Sequence, residues 1–247
     1  MKKRQQIEVY SEAEGFKRLR DTKTRKWNFL NPDGVLLSEQ WFDWAGNFSE
    51  GFAVIVLNHQ NNYIKPDGTL LSGEFYRDSW AFTNGYGRVM RNDYKINYLK
   101  PDGTLLLKNW IQWGSDFEND IAQVQRFDGM FNFIRTDGKC ISPVWFRRCW
   151  NFENGISTVQ RKDELWNYVR KDGTFLSDVW FQNAWPFIDG LGRVVNEDGQ
   201  SNFMDLNGNL LLEEWVFKSW EFHRGMAKIK KTADSDWQKI DNTGRIL

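Results

Sequence analysis

"NYIKPDGTLLS" (residues 62–72) reads as a strand, a tight turn and a second strand, and the chain writes it again as "NYLKPDGTLLL" (97–107) and "NYVRKDGTFLS" (167–177). Within the turn, Pro66 presets φ, Asp67 bonds its own backbone and Gly68 supplies a positive φ. The turn glycine recurs at Gly34, Gly68, Gly103, Gly138, Gly173, Gly208 and Gly244, with gaps of 34, 35, 35, 35, 35 and 36 residues. A period held that closely means that every repeat occupies the same structural position, with insertions confined to a residue in a loop.

Working outward from the turn, "GFAVIVLN" (51–58) is apolar at successive positions, which marks a strand covered on both faces. Seven residues after each turn glycine stands a large aromatic (Trp41, Phe75, Trp110, Trp145, Trp180, Trp215), and seven further on a Phe, at 48, 82, 117, 152, 187 and 222. Next comes a glycine-bearing turn, then a small residue and a β-branched one, as in Gly51, Ala53 and Ile55. This taper suits strands crowded at the narrow end of a radial array. The expected fold is therefore all-β, with seven repeats of about 35 residues, four short strands in each, arranged as a seven-bladed β-propeller. An open β-solenoid of hairpins is the alternative. A single repeat domain is expected over 1–247. Within it, residues 1–14 are expected to be a closing segment that completes the last blade, because Tyr10 precedes Gly15 as Trp80 precedes Gly85.

Composition narrows the function. The 247 residues are 40% hydrophobic and 16% aromatic, enough to bury a large core, and 33 basic residues balance 33 acidic ones. No global field draws in phosphate backbones or anionic lipid, so neither nucleic acid nor membrane is an expected partner. No apolar h-region follows the basic start, and no run reaches the ~18 residues of a membrane span. With only Cys140 and Cys149 present, the chain reads as cytoplasmic.

A repeat with a Trp-led strand, a "DG" turn and an "fxxGxAxV" pattern resembles the bacterial WG repeat family over essentially the whole chain. The Trp-Gly pair of that family stands here as Trp27-Asn28, Trp166-Asn167 and Trp237-Gln238, with Asn61, Ile96, Phe131 and Ser201 in place of Trp in other repeats. Its glycine is absent throughout, which makes this a divergent branch. The resemblance implies an interaction module with no common catalytic residues.

No catalytic constellation is legible. His59 and His223 are the only histidines, far apart and in unlike repeat positions; no nucleophile elbow, Walker loop or dinucleotide fingerprint occurs. "GYGRV" (85–89) and "GLGRV" (190–194) open strands, not helices, and the recurring turn aspartates come one per repeat, too few for calcium. No cofactor and no metal are expected. Two sets of residues break the pattern and are the candidate binding residues. Trp44 and Trp113 stand ten residues past their turn glycines in the two repeats that lack the twelfth-position Trp, so they either replace that core Trp or project to a surface. Arg91, Arg126 and Arg161 occupy equivalent strand ends, and Arg147 and Arg148 adjoin Trp145. The expected function is a non-catalytic binding or assembly module, a scaffold for another protein. A lectin-like glycan binder is the alternative, and a hydrolase with its site in the central channel is a third reading.

Overall fold

In each repeat, a left-handed glycine lets the chain reverse between two strands, and the computed structural model describes the result for residues 7–247. Among the described residues, twenty-one strands form seven three-stranded antiparallel sheets, each from three consecutive strands. The first four are β1–β3 (Ile7–Ala13, Phe16–Asp21, Trp27–Leu30), β4–β6 (Trp44–Ser49, Phe52–Leu57, Gln60–Ile64), β7–β9 (Asp78–Ser79, Gly87–Met90, Ile96–Leu99) and β10–β12 (Trp113–Gly114, Ile121–Gln125, Phe131–Arg135). The remaining three are β13–β15 (Arg148–Cys149, Ile156–Gln160, Trp166–Arg170), β16–β18 (Asn183–Ala184, Leu191–Val195, Ser201–Asp205) and β19–β21 (Lys218–Ser219, Met226–Lys230, Gln238–Asp241). The fold is all-β with seven repeated blades, as the turn spacing implies.

Two details differ from expectation. The fourth extended segment is not a full strand but makes isolated bridges, a pair of them in five repeats, such as Ile64 to Leu70 and Asn61 to Tyr76. It turns too soon to build a ladder, because its next residues already pair with the following sheet: Arg77 N–H donates to the Met90 carbonyl. The N-terminal segment also pairs elsewhere. Ile7–Ala13 lies against Phe16–Asp21 in the first sheet, while the last sheet draws all three strands from residues 218–241. The short turn at Glu14-Gly15 makes the local hairpin the nearest partner, and Ile7, Val9 and Tyr10 remain 43%, 60% and 48% exposed. Residues 1–6 of the proposed closing segment lie outside the described residues.

The chain divides into two compact units, one running to Phe127 and including Ile134–Lys139, the other holding Asp128–Phe133 and Cys140–Leu247. In both, one packing rule repeats. The aromatic of each third strand meets, edge to face, the Phe that opens the next repeat: Phe29 with Phe48, Tyr63 with Phe82 and Tyr98 with Phe117 in the first unit, at 5.0–5.1 Å between centroids. Phe133 with Phe152 and Phe203 with Phe222 do so in the second, at 4.6 and 4.8 Å, and Tyr168 meets Phe187 at a tilt, at 4.7 Å. Such pairs add about 0.5–1.5 kcal/mol each beyond their area burial.

The taper in the sequence has its cause here. Where the third-strand aromatic is Tyr63 or Tyr168, the small residue of the next repeat is Gly87 or Gly192, and a Cβ at either would lie 2.7 or 2.4 Å from the tyrosine hydroxyl. Tyr98 is accommodated by Gly114 in the same way, at 2.3 Å. Where the aromatic is Phe29, Phe133 or Phe203, Ala53, Ser157 and Ala227 fit.

The residue that replaces the glycine of the WG signature is a buried clamp. Asn28, Asn62, Asn97, Asn132, Asn167 and Asn202 are all fully buried. Each side-chain NH₂ donates across the turn to the carbonyl ten residues on, as Asn167 does to Ser177 at 2.8 Å, and Asn28, Asn62, Asn132 and Asn167 reach the twelfth as well. Each Oδ1 accepts the next residue's N–H at 2.7–2.8 Å. Buried carbonyls of a segment too short to form a ladder are thus satisfied by side chains.

Candidate functional site

With the aromatics and asparagines used in packing, the exposed positions carry what remains for recognition. The first residue of β4, β7, β10, β13, β16 and β19 is exposed in every repeat, and its chemistry changes each time: Trp44, Asp78, Trp113, Arg148, Asn183 and Lys218. Its ladder neighbour points inward and stays small: Ala45, Ser79, Gly114, Cys149, Ala184, Ser219. A constant inner row therefore holds a variable outer one.

Trp44 and Trp113 are 45% and 40% exposed, so of the two expectations the structure gives the surface one. The Trp44 ring leans over Gly46, where a Cβ would lie 3.2 Å from the indole. The ring thus covers the backbone where other repeats carry Trp80 or Trp150, without entering the core. The twelfth-position Trp residues are not core either: Trp150 and Trp220 are 41% and 63% exposed. The sequence reading missed this because periodic aromatics usually mark a buried face.

The arginine set is placed in two different ways. Arg91 and Arg161 each grip the carboxylate two residues on, Asp93 and Asp163, through Nε and a terminal nitrogen, and stack over Trp110 and Trp180 at 4.5 and 4.3 Å. These hydrogen bonds from Arg91 hold Asp93 down at a pKa of about 2, and those from Arg161 lower Asp163. Each is a local clamp on a strand end. Arg126 is half-buried at the equivalent place. Arg147 and Arg148 are exposed; Arg147 pairs with Glu164, and Arg148 faces Gln160 across the ladder.

A second arginine row escaped the sequence reading. Arg18, Arg88 and Arg193 project from central strands and donate across to the next repeat's inner carbonyl: Ala45 at 3.0 Å, Gly114 at 2.6 Å and Ser219 at 2.7 Å. Burial lowers the pKa of Arg18 and Arg193. Arg88 and Arg193 also lie over Trp80 and Trp185 at 4.2 and 3.6 Å. Their signal in the sequence was an Arg three residues past a turn glycine, as in "GYGRV" and "GLGRV".

One more surface stands apart. On the last sheet, Trp220, Met226 and Trp237 are 63%, 45% and 43% exposed and line a groove of about 400 Å³ with Glu221, His223, Ala227, Lys228 and Lys239. Its two indoles lie 6.1 Å apart.

For catalysis the arrangement offers little. The turn aspartates Asp67, Asp102, Asp137 and Asp241 are lowered by hydrogen bonds from the residue two positions on, whereas a general acid requires a raised carboxyl. Burial drives the Tyr63, Tyr98 and Tyr168 hydroxyls well above their ordinary range, and each donates to a backbone carbonyl, those of Trp80, Ser115 and Trp185. They are structural donors. Among the described residues no three His, Cys, Asp or Glu side chains gather as a metal site, and no helix is long and apolar enough to cross a membrane.

Repeated sheets joined by equivalent aromatic pairs define a β-repeat protein. The family model of the WG containing repeat matches residues 29–62, so the chain carries a segment similar to that repeat. No curated protein matches the sequence. Among solved structures, the computationally designed Ika8 protein is similar at a TM-score of 0.35 and 15% identity, over 98% of this chain and 86% of that one. BamB from Moraxella catarrhalis is similar at 0.32 and 11%, over 90% and 81%. The WD40 β-propeller domain of Doa1 is similar at 0.29 and 13%, over 91% and 85%. The seven sheets rest on their own strand pairing.

Proposed function

We propose that the chain is a non-catalytic interaction scaffold, a single repeat domain of the cytoplasm whose partner is another protein. The observation that carries this reading is the outer row: Trp44, Asp78, Trp113, Arg148, Asn183 and Lys218 are exposed at one strand position and differ in chemistry, while the position beside them stays small. Repeat scaffolds recognise partners through such variable positions on a constant frame. Two half-buried thiols, Cys140 and Cys149, suit a reducing compartment. Photo-crosslinking residues placed at 44, 113 and 183 should capture one and the same partner protein in the native host, and a crosslinker at the exposed turn residue Asn207 should not. Identical products from all four sites would remove the reading.

A glycan-binding reading is kept for one observation, the two half-exposed indoles of Trp44 and Trp113, since indole faces stack on sugar C–H surfaces. Binding to a sugar array that Trp44→Ala and Trp113→Ala both abolish would establish it.

A further inference from the structure

The last sheet breaks the packing rule of the others in one direction. In earlier sheets the residue on the middle strand faces an aromatic on the third: Arg18 opposite Phe29, Val54 opposite Tyr63, Arg88 opposite Tyr98, Thr158 opposite Tyr168 and Arg193 opposite Phe203. In the last sheet the same pair is Lys228 opposite Lys239, both exposed. Like charges directly opposite on one sheet face are destabilising. The turn position changes sign as well. Glu14 accepts from Glu50 and Gly51 N–H, Glu50 from Asn84 and Gly85 N–H, and Asp189 from Gly225 N–H; Asn84, Asn119 and Asn154 hold that position in the other turns, and the last carries Arg224. Two repeat positions, those of Lys239 and Arg224, thus turn cationic beside Lys228 on one sheet of a chain whose net charge is zero.

A polar outer face is ordinary on a solvent-facing antiparallel sheet, and that explains the lysines. It does not explain what lies between them. Trp237 is the counterpart of Trp27 and Trp166, which are 8% and 9% exposed, yet it keeps its indole at 43% exposure. Trp220 and Met226 remain bare beside it. An apolar slot rimmed by paired lysines has the makeup of a receptor for an acidic segment with an apolar anchor. Glu221 on its rim and the small size of the groove favour a peptide over a phosphate backbone or a lipid surface, either of which takes a broad cationic field.

We propose that the exposed face of β19–β21 binds an acidic peptide segment of the partner protein, its carboxylates on Lys228 and Lys239 and an aromatic or aliphatic side chain between Trp220 and Trp237. This rests on the scaffold reading and names one of its surfaces. Peptide-display selection on the full chain should enrich sequences in which Asp and Glu flank a Phe, Leu or Trp. A synthetic peptide of that type should perturb the indole N–H resonances of Trp220 and Trp237 and bind less tightly as salt rises. Lys228→Glu with Lys239→Glu should weaken it by more than about tenfold without lowering the denaturation midpoint, whereas Trp44→Ser with Trp113→Ser should leave it unchanged.

Selected peptides with no acidic bias, or acidic peptides that bind the double-Glu variant equally well, would overturn the proposal. So would tighter binding of single-stranded DNA or anionic vesicles than of the peptide, or a dimer of this chain that Lys239→Glu dissolves. Loss of binding only in the Trp44/Trp113 variant would sink this inference and leave the scaffold reading standing. Selection that yields no binder would sink both.

Discussion

The sixth and seventh sheets share strand order and the register of their middle and third strands, and they differ in what those two strands carry. On the sixth, Arg193 lies over Trp185, donates to the Ser219 carbonyl, and stands opposite a fully buried Phe203. On the seventh the same ladder holds Lys228 and Lys239, in the open. The backbone therefore does not need the aromatic pair in order to form a blade. The aromatic joins sheets and the hairpins make them, so chemistry at the joining position is free to change. Even the clamp loosens there: Gln238 stands where six repeats place Asn, and its buried Oε1 accepts no hydrogen bond.

The clamp gives the largest expected effect. Asn167→Ala removes two donors and an acceptor from a fully buried site and strands the carbonyls of Ser177 and Val179. A loss of about 2–4 kcal/mol is expected, since unsatisfied buried groups cost about 1–3 kcal/mol each. Gln238→Ala should cost much less. Equal shifts in urea midpoint for the two variants would erase the contrast between interior and end.

Next come the turn glycines, which are alike in φ but not in surroundings. At Gly208, φ is +98° and a Cβ would lie 2.3 Å from the Leu176 carbonyl oxygen; at Gly34, φ is +76° and nothing stands within 4 Å. Gly208→Ala should cost about 2–3 kcal/mol and Gly34→Ala about 1 kcal/mol, because only the first adds a backbone clash to the left-handed strain. Thermal denaturation of both variants checks this. A smaller loss at Gly208 would mean that the preceding repeat yields where the geometry says it presses.

Acid should act on interior and end together. Asp67, Asp102, Asp137 and Asp241 are each held below the ordinary carboxyl pKa by hydrogen bonds within the turn, and Asp93 is held at about 2 by Arg91. With folded values depressed, their stabilisation is present above the unfolded pKa of about 4 and is lost as pH falls through the folded values. The denaturation midpoint should be flat from neutrality to about pH 5 and decline toward pH 2. A midpoint that rises on acidification would show that repulsion among these carboxylates outweighs their turn bonds.

What the sequence made legible follows from which interactions are local. Gly68 announces its turn because positive φ is a property of one residue, and the period of such glycines counts the sheets. The joining aromatics were visible as a period but not as a partnership, because the dependence of Gly87 on the Tyr63 hydroxyl spans 24 positions and shows only when two repeats meet. Asn167 was read as a lapse from the WG signature because its partners lie ten and twelve residues on, in a segment expected to be a strand. The candidate residues fared likewise. Exposure of Trp44 depends on facing outward at a ladder position that Asp78 and Arg148 also occupy, a regularity hidden by the differing chemistry of its members. The last-sheet groove was hidden too: Lys239 carries no mark of its own until it is aligned with Phe203 and Tyr168.

The smallest expected effect tests that alignment directly. Lys239→Glu puts an opposite charge across from Lys228 in place of a like one, on an exposed face where neither side chain supports the core. Cross-strand pairs of this kind are worth about 0.2–1 kcal/mol, so the variant should be slightly more stable than the parent at low salt. The gain should fade as salt is added, because exposed charges are screened over about 8 Å at physiological ionic strength. Tyr168→Glu, at the equivalent position of the fifth sheet, should go the other way and by far more, since that ring is fully buried against Phe187. Opposite signs from one substitution at two equivalent positions would place the difference in what covers each ladder. A loss of stability in Lys239→Glu would instead mean that Lys239 already holds a partner the fold requires.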